Sequence, residues 1–309
     1  MRPLDSTDRE SYFLGVSVHF VLEAEDLGRL RFAFSPMWET IMSLRVFQDP
    51  ALGALHLPWI HETRQQFQLR APSPHLTLVM RLVHAQQYMP DFLTPPPTTP
   101  FPDFEKELEA VRSTPAALIR RDLHRTFPNP QSRPDLVQAM MDDPAAHLDP
   151  LVLALHGYWQ QQLAPHWPRI RLMLEDDVTV RGQTLALGGP PVLFSGLHAS
   201  LTFQNLVLTR QSKSEQTVQV GGRGLVLVPS LFCWLQVLAV RDPPWQPTII
   251  YPARGVANLW LPPVNPHRAM EHLLEPAESE HHLGTGRSFW KRAGWDQCAT
   301  LKIAAGGLD

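Results

Sequence analysis

Apolar positions along this chain change period twice, dividing it into a leading strand, a long helical middle and a strand-rich end. Residues 16–24 alternate well enough for a strand, and residues 25–47 then read as helix. Ser35-Pro36 interrupts that helix, with Ser35 as cap and Pro36 at the first position of the second part. Met37, Ile41, Leu44 and Phe47 fall on one face at three- and four-residue spacing. Residues 56–63 and 76–85 predict short helices, and 90–102, with six prolines, a stiff extended loop. A helix follows over 103–123, with a break at Thr114-Pro115. Asp149-Pro150 reads as the start of a helix running to Leu163, and Pro165 and Pro168 force a joint. The helix over 169–187 is stopped by Gly188-Gly189. Beyond it the period becomes two: 201–209, 217–220, 225–228 and 248–251 predict strands, with a polar turn at 212–216. The order predicts an α+β fold, mainly helical with a small antiparallel sheet, and no internal repeat.

Composition narrows this picture. The chain has 309 residues, 44% hydrophobic and 18% charged, enough to bury a core in one large domain or two ordinary ones. The net charge of −3 excludes nucleic-acid binding by bulk charge alone. The 31 prolines, about twice the usual share, imply short elements with rigid joints. Pro243, Pro244, Pro247 and Pro252 bracket one apolar strand and mark the end of a structural domain, with Trp245, Tyr251 and Trp260 supplying large buried surfaces. Cys233 and Cys298 lie too far apart for a metal-binding pair, which fits a reducing cytoplasm. Asp5, Asp8 and Glu10 argue against an export signal. The uncharged run 224–240, divided by Pro229-Ser230, reads as buried core elements rather than a membrane span.

The usual signatures of chemistry are missing. Gly221-Gly222-Arg223-Gly224 lacks the following Lys-Ser/Thr and helix of a phosphate loop, so a tight turn is expected. Ser195 and Ser230 sit in no nucleophile-elbow pattern. The 14 histidines include no His-Glu-x-x-His, and Glu278, Glu280, His281 and His282 read as a solvated stretch. Glu175, Asp176 and Asp177 are consecutive on a helix and do not converge, so a solvated face is expected. One candidate pocket remains, the aromatic row Tyr158, Trp159, His166 and Trp167 around the proline joints. No catalytic residue, metal set or cofactor is implied, and an enzyme is not expected.

Five stretches carry a resemblance: LGRLRFAFSPMWETIMSLR at 27–45, YMPDFLTPPPTTPFPDF at 88–104, LAPHWPRIRLMLEDD at 163–177, GGRGLVLVPSLF at 221–232 and DPPWQPTIIYPARGV at 242–256. Together they resemble the N-terminal domain of transcriptional regulators in which a long domain of no assigned chemistry precedes an ArsR-type winged helix-turn-helix. The resemblance covers residues 19–260. It implies a cytoplasmic DNA-binding regulator, a repressor and homodimer, whose N-terminal domain serves sensing of a small-molecule effector or assembly. The domain division it suggests is an extension at 1–18, the sensing or assembly domain at 19–260 and a winged-helix remnant at 261–309.

The last stretch departs from that pattern. It is short for a winged helix, and 284–292 has no helical apolar period. Over 262–309, Arg268, Arg287, Lys291, Arg292 and Lys302 are outnumbered by Glu271, Glu275, Glu278, Glu280, Asp296 and Asp309, the wrong sign for a module that holds phosphates. The local basic cluster Arg287, Lys291 and Arg292 is the candidate DNA contact. The tail reads as a truncated, frame-shifted or degenerate module, with DNA binding that is at most sequence-independent and salt-sensitive. The alternative function is a ligand-binding or dimerisation module with no DNA binding of its own.

Overall fold

The computed structural model describes residues 16–261, other than 50, 85–87, 213 and 234. The basic cluster Arg287, Lys291 and Arg292, the Glu278–His282 patch, the remnant at 262–309 and most of the 1–18 extension lie outside the described residues.

The expected leading strand is β1 (Ser17–Val21), followed by the short helix α1 (Ala24–Gly28). The helical stretch expected over 25–47 is then interrupted by a two-residue strand, β2 (Arg31–Phe32). Helix α2 (Pro36–Gln48) begins where Ser35-Pro36 predicts: the Ser35 hydroxyl accepts a hydrogen bond from the Trp38 amide at 3.0 Å. A second acceptor comes from far along the chain, since the Glu107 carboxylate takes the Met37 amide at 2.9 Å. Residues Pro36–Val46 of this helix are all buried, the polar face as well as the apolar one. That polar face survives burial because its groups are partnered: Thr40 donates to the Pro36 carbonyl, and Ser43 meets the Tyr158 hydroxyl at 2.8 Å.

Around α2 pack α3 (Leu57–Leu69), α4 (Pro74–Leu82), α5 (Phe104–Arg112), α6 (Ala116–Thr126), α7 (Asp135–Asp142) and α8 (Pro144–Tyr158). The break at Thr114-Pro115 separates α5 from α6 as the proline predicts. α7 has no counterpart among the expected elements. α8 starts one Asp-Pro pair earlier than expected, at Asp143-Pro144, where the Asp143 carboxylate accepts from the Ala146 amide at 3.2 Å. Asp149 instead forms an ion pair with Arg112 at 3.1 Å, and Pro150 lies inside the helix. The chain widens into a π-turn at Trp159–Leu163 before α9 (Trp167–Leu197). α9 kinks at Gly189 (φ 71°, ψ −177°), just where Gly188-Gly189 is expected to stop it. Pro190-Pro191 then begin a second helical piece.

Six strands follow: β3 (Leu201–Gln204), β4 (Val207–Gln211), β5 (Gln216–Gln219), β6 (Val226–Ser230), β7 (Leu238–Val240) and β8 (Thr248–Pro252). The expected strand 201–209 is a hairpin, because Asn205 and Leu206 take φ of 50° and 62°, a turn that matches strand twist. The architecture is α+β, mainly helical before the strands. In place of one small antiparallel sheet there are two mixed four-stranded sheets, ordered β3-β4-β1-β5 and β2-β6-β8-β7. β1 runs antiparallel to β4 and parallel to β5. β6 runs parallel to both β2 and β8, and β8 antiparallel to β7. Long connections permit the parallel pairings, the helical body lying between β1 and β5 and between β2 and β6, and residues 231–247 between β6 and β8. The spacing of apolar residues along each strand does not encode them.

The second sheet is covered on both faces. Val226, Val228 and Ile250 join the helical core, while Leu227, Ile249 and Tyr251 join a second core with Val18, Phe20, Leu208 and Phe194. Double burial is why the run from 224 onward is apolar without alternation. Pro229 is tolerated in β6 because its missing donor faces the β2 side, where pairing ends at Phe32. No helix among the described residues is long and apolar enough to cross a membrane.

The glycine turn ties the two sheets to α1. Gly221, Gly222 and Gly224 all take positive φ, and the Gly224 amide donates to the buried Asp26 carboxylate at 2.9 Å. A Cβ on Gly224 would lie 2.6 Å from the Arg29 carbonyl oxygen, which is backbone and cannot swing aside. Gly224→Ala is therefore expected to lower stability by about 2 kcal/mol or more, from left-handed strain and the clash together. Urea denaturation checks this, and a loss below half that value contradicts the geometry.

Candidate functional site

A cleft of about 800 Å³ opens where the helical body meets both sheets. α2 supplies Trp38 and Arg45 to its wall, and the segment before α5 supplies Tyr88, Met89 and Asp91. The end of α9 contributes His198, β4 contributes Arg210 and Gln211, and the strand β7 with its flanks contributes Leu235 through Ala239, Arg241 and Asp242. Trp38, Met89, Val237 and Leu238 give it an apolar side.

The acidic end of the cleft is a closed network. Tyr88 donates to Asp91 at 2.8 Å, and Asp122, fully buried, accepts from the Phe92 amide at 2.9 Å and from Arg121 at 3.0 Å. Arg125 pairs with Asp242 at 2.7 Å and lies over the Tyr88 ring. Burial, opposed by the Tyr88 hydroxyl, and the neighbouring Asp122 and Asp242 carboxylates push the Asp91 carboxyl up to about 7. These acids are thus accounted for by partners within the fold.

The basic side is different. Arg210 donates to the Val237 carbonyl at 3.0 Å and to the Ser212 hydroxyl at 3.3 Å, and pairs with no carboxylate among the described residues. Burial, and then the nearby Arg241 guanidinium, lower its pKa. Arg241 makes no ion pair or side-chain hydrogen bond among the described residues. Two buried donors on this wall, Trp38 Nε1 and Arg210 Nε, have no partner among the described residues. Arg45 lies in the same wall, with Met89 Sδ at 4.0 Å from its guanidinium, and burial lowers its pKa. The arrangement can hold a ligand by hydrogen bonding and charge, with an apolar surface alongside. It brings together no nucleophile and base.

The aromatic row of the sequence does not converge on one site. The π-turn and the 166–168 joint send its members three ways. Tyr158 is buried against Ser43 and Phe67, and burial pushes its hydroxyl pKa up. Trp159 stacks on Phe104 at 4.4 Å and meets Trp167 edge-on at 5.2 Å. Those two line a shallow cleft of about 420 Å³ with Phe34, Phe101 and Arg171. His166 turns away to face Trp260 at 5.2 Å, with Glu62 at 4.0 Å.

The acidic triplet needs a correction. Glu175 pairs with Arg171 and Asp176 is exposed, as a solvated face requires, but Asp177 is buried. It accepts from the Tyr251 hydroxyl at 2.9 Å and the Arg254 amide at 3.1 Å, fastening α9 to the end of β8. Consecutive helix positions point about 100° apart, so one of three can face inward while its neighbours stay wet. The glycine-rich segment is a turn, as expected. Among the described residues no three His, Cys, Asp or Glu side chains form a metal-binding group.

Arg45, Arg210 and Arg241 carry no shared sequence signal, since they come from a helix and two different sheets. The one hint was Arg241 closing the uncharged run 224–240. Over residues 114–257, a little under half of the chain, the sequence is similar to a family described as a family of unknown function (DUF5937). That stretch contains Arg210 and Arg241 but neither Trp38 nor Arg45. No curated protein and no solved structure matches the chain.

Proposed function

We propose that residues 16–261 are the ligand-sensing module of a cytoplasmic transcriptional regulator of the ArsR-like kind, with a small-molecule effector held in the cleft between α2, β4 and β7. The cleft carries the sensing part of this proposal: about 800 Å³, with apolar lining, two arginines, and two buried donors in its wall that have no partner among the described residues. The regulator part is supported by the resemblance of the five stretches between 27 and 256, and DNA as partner, repressor action and a homodimer come with it.

Thermal-shift screening of the full chain against a small-molecule panel tests the sensing part. A ligand at a hundred times its Kd should stabilise by about 2.7 kcal/mol. Ala239→Trp, which fills the cleft wall, should abolish that shift. A panel without a hit, or a hit indifferent to Ala239→Trp, overturns the placement. The regulator part is tested by footprinting the chain on its own promoter at physiological salt with and without the hit. Ligand-dependent protection supports it, and its absence favours the alternative, a binding or dimerisation module without DNA binding. The acidic excess over 262–309 is the observation on that side.

A further inference from the structure

From the basic wall we infer that the cleft is built for a small organic anion, a carboxylate or phosphate monoester held by Arg210 and Arg241, with its apolar body against Leu235 and Leu238. This rests on the ligand-sensing reading above and names the class of effector.

Three observations converge on it. Arg210 and Arg241 line the same cleft and the charge of one opposes that of the other, yet among the described residues neither forms an ion pair with a carboxylate, although Asp91 and Asp242 line that cleft too. Those acids are engaged instead by Arg121 and Arg125, at 3.8 Å and 2.7 Å. The fold therefore neutralises one end of the cleft internally and leaves the other end cationic. A half-buried pair of like charges is a standing cost to the unliganded protein, which an anion between them removes. Second, Arg210 is fixed before any ligand arrives, because the Val237 carbonyl and the Ser212 hydroxyl hold its two terminal nitrogens. A preorganised guanidinium loses little freedom on binding. Third, Trp38 Nε1 and Arg210 Nε are buried donors lacking acceptors among the described residues, and a carboxylate or phosphate is an acceptor-only group. Leu235 and Leu238 line the same cleft with accessible apolar surface, which a bare inorganic anion would leave unused.

Calorimetry on the full chain with octanoate, octyl phosphate, octanol and inorganic phosphate tests this. At least one of the two amphiphilic anions should bind about tenfold or more tightly than octanol and than inorganic phosphate, and should weaken as salt rises. Comparing octanoate with octyl phosphate tells which head group is preferred. Arg241→Gln should remove the advantage over octanol. It should also leave the unliganded protein at least as stable as wild type, since no partner is lost and a repulsion is relieved. Octanol binding as tightly as both anions, with Arg241→Gln indifferent, overturns the anion while leaving a neutral effector and the sensing reading standing. If no probe binds up to millimolar concentration, both fall.

Discussion

Trp59→Ala is expected to remove about 3–5 kcal/mol of stability, the largest loss foreseen for a single side chain of this protein. Trp59 lies on α3 and is 1% exposed. Its indole donates to the Gln162 carbonyl at 3.1 Å, capping part of the π-turn, where backbone acceptors lack their usual helical donors. The ring meets Phe232 edge-on at 5.2 Å and is stacked with Trp260 at 6.4 Å. Next to it the buried His56 stacks on Phe232 at 4.4 Å, donates through Nε2 to the Leu231 carbonyl and accepts from the Trp260 indole at 3.0 Å. Trp59 therefore joins α3, the π-turn, the segment after β6 and the end of the described unit. Its truncation opens a cavity and leaves a buried carbonyl unpaired. Urea unfolding should show the loss with a fall of roughly 10 °C in Tm, and Trp59→Phe should cost less than half as much. A loss under about 1 kcal/mol for Trp59→Ala would show that the cluster is not packed in this way.

The second large effect depends on pH. Glu39 and Glu107 are buried carboxyl groups at the centre of the helical body, and burial pushes each up to about 8. The Ser230 hydroxyl and the Leu231 and Phe232 amides oppose that rise for Glu39. The Met37 amide and the Ser35 hydroxyl oppose it for Glu107. The folded protein therefore keeps these protons over a range in which the unfolded chain has released them. The stability each group contributes is fully present below about 4.5 and is lost as pH rises through about 8. Each loss runs at about 1.4 kcal/mol per pH unit, or about 3 kcal/mol between pH 4.5 and 7. Glu39→Gln and Glu107→Gln keep an acceptor for the same amides and carry no proton to lose. Each variant should gain on wild type by that slope as pH is raised from 5 to 8, measured by urea midpoints at matched ionic strength. Because the comparison is differential, His56, which burial lowers to about 4 and which titrates in the opposite sense, cancels from it. A difference that does not change with pH would show that these carboxyls are ionised in the folded state.

Much of the fold was legible residue by residue. Ser35-Pro36, Thr114-Pro115 and Gly188-Gly189 mark real helix boundaries, because capping hydroxyls, the missing proline donor and the left-handed glycine act over a few bonds. Asp149-Pro150 misleads for the same reason. Asp143-Pro144 offers identical local chemistry and caps the helix, while Asp149 lies inside it and meets Arg112 of α5 in an exposed ion pair. Leu206 at φ 62° in the β3–β4 hairpin has no local signal, since a leucine is held there by the pairing on either side of it.

The sequence by itself determined the α+β class, the helix boundaries at Ser35-Pro36, Thr114-Pro115 and Gly188-Gly189, and most strand segments, though not α7, β2 or β7. What it determined is set by interactions within a few residues. It also pointed to burial of 224–240, which holds for 224–233, where an uncharged apolar run leaves water, but not for Leu235, which is 62% exposed. Only the tertiary structure decided that the strands form two mixed sheets, that Asp177 is a buried fastener and that the aromatic row is dispersed. It alone brought Trp38, Arg210 and Arg241 to one cleft. Those outcomes depend on which distant segment supplies the partner for a charge or a backbone edge. The spacing of residues along one segment carries no record of what will lie across from it.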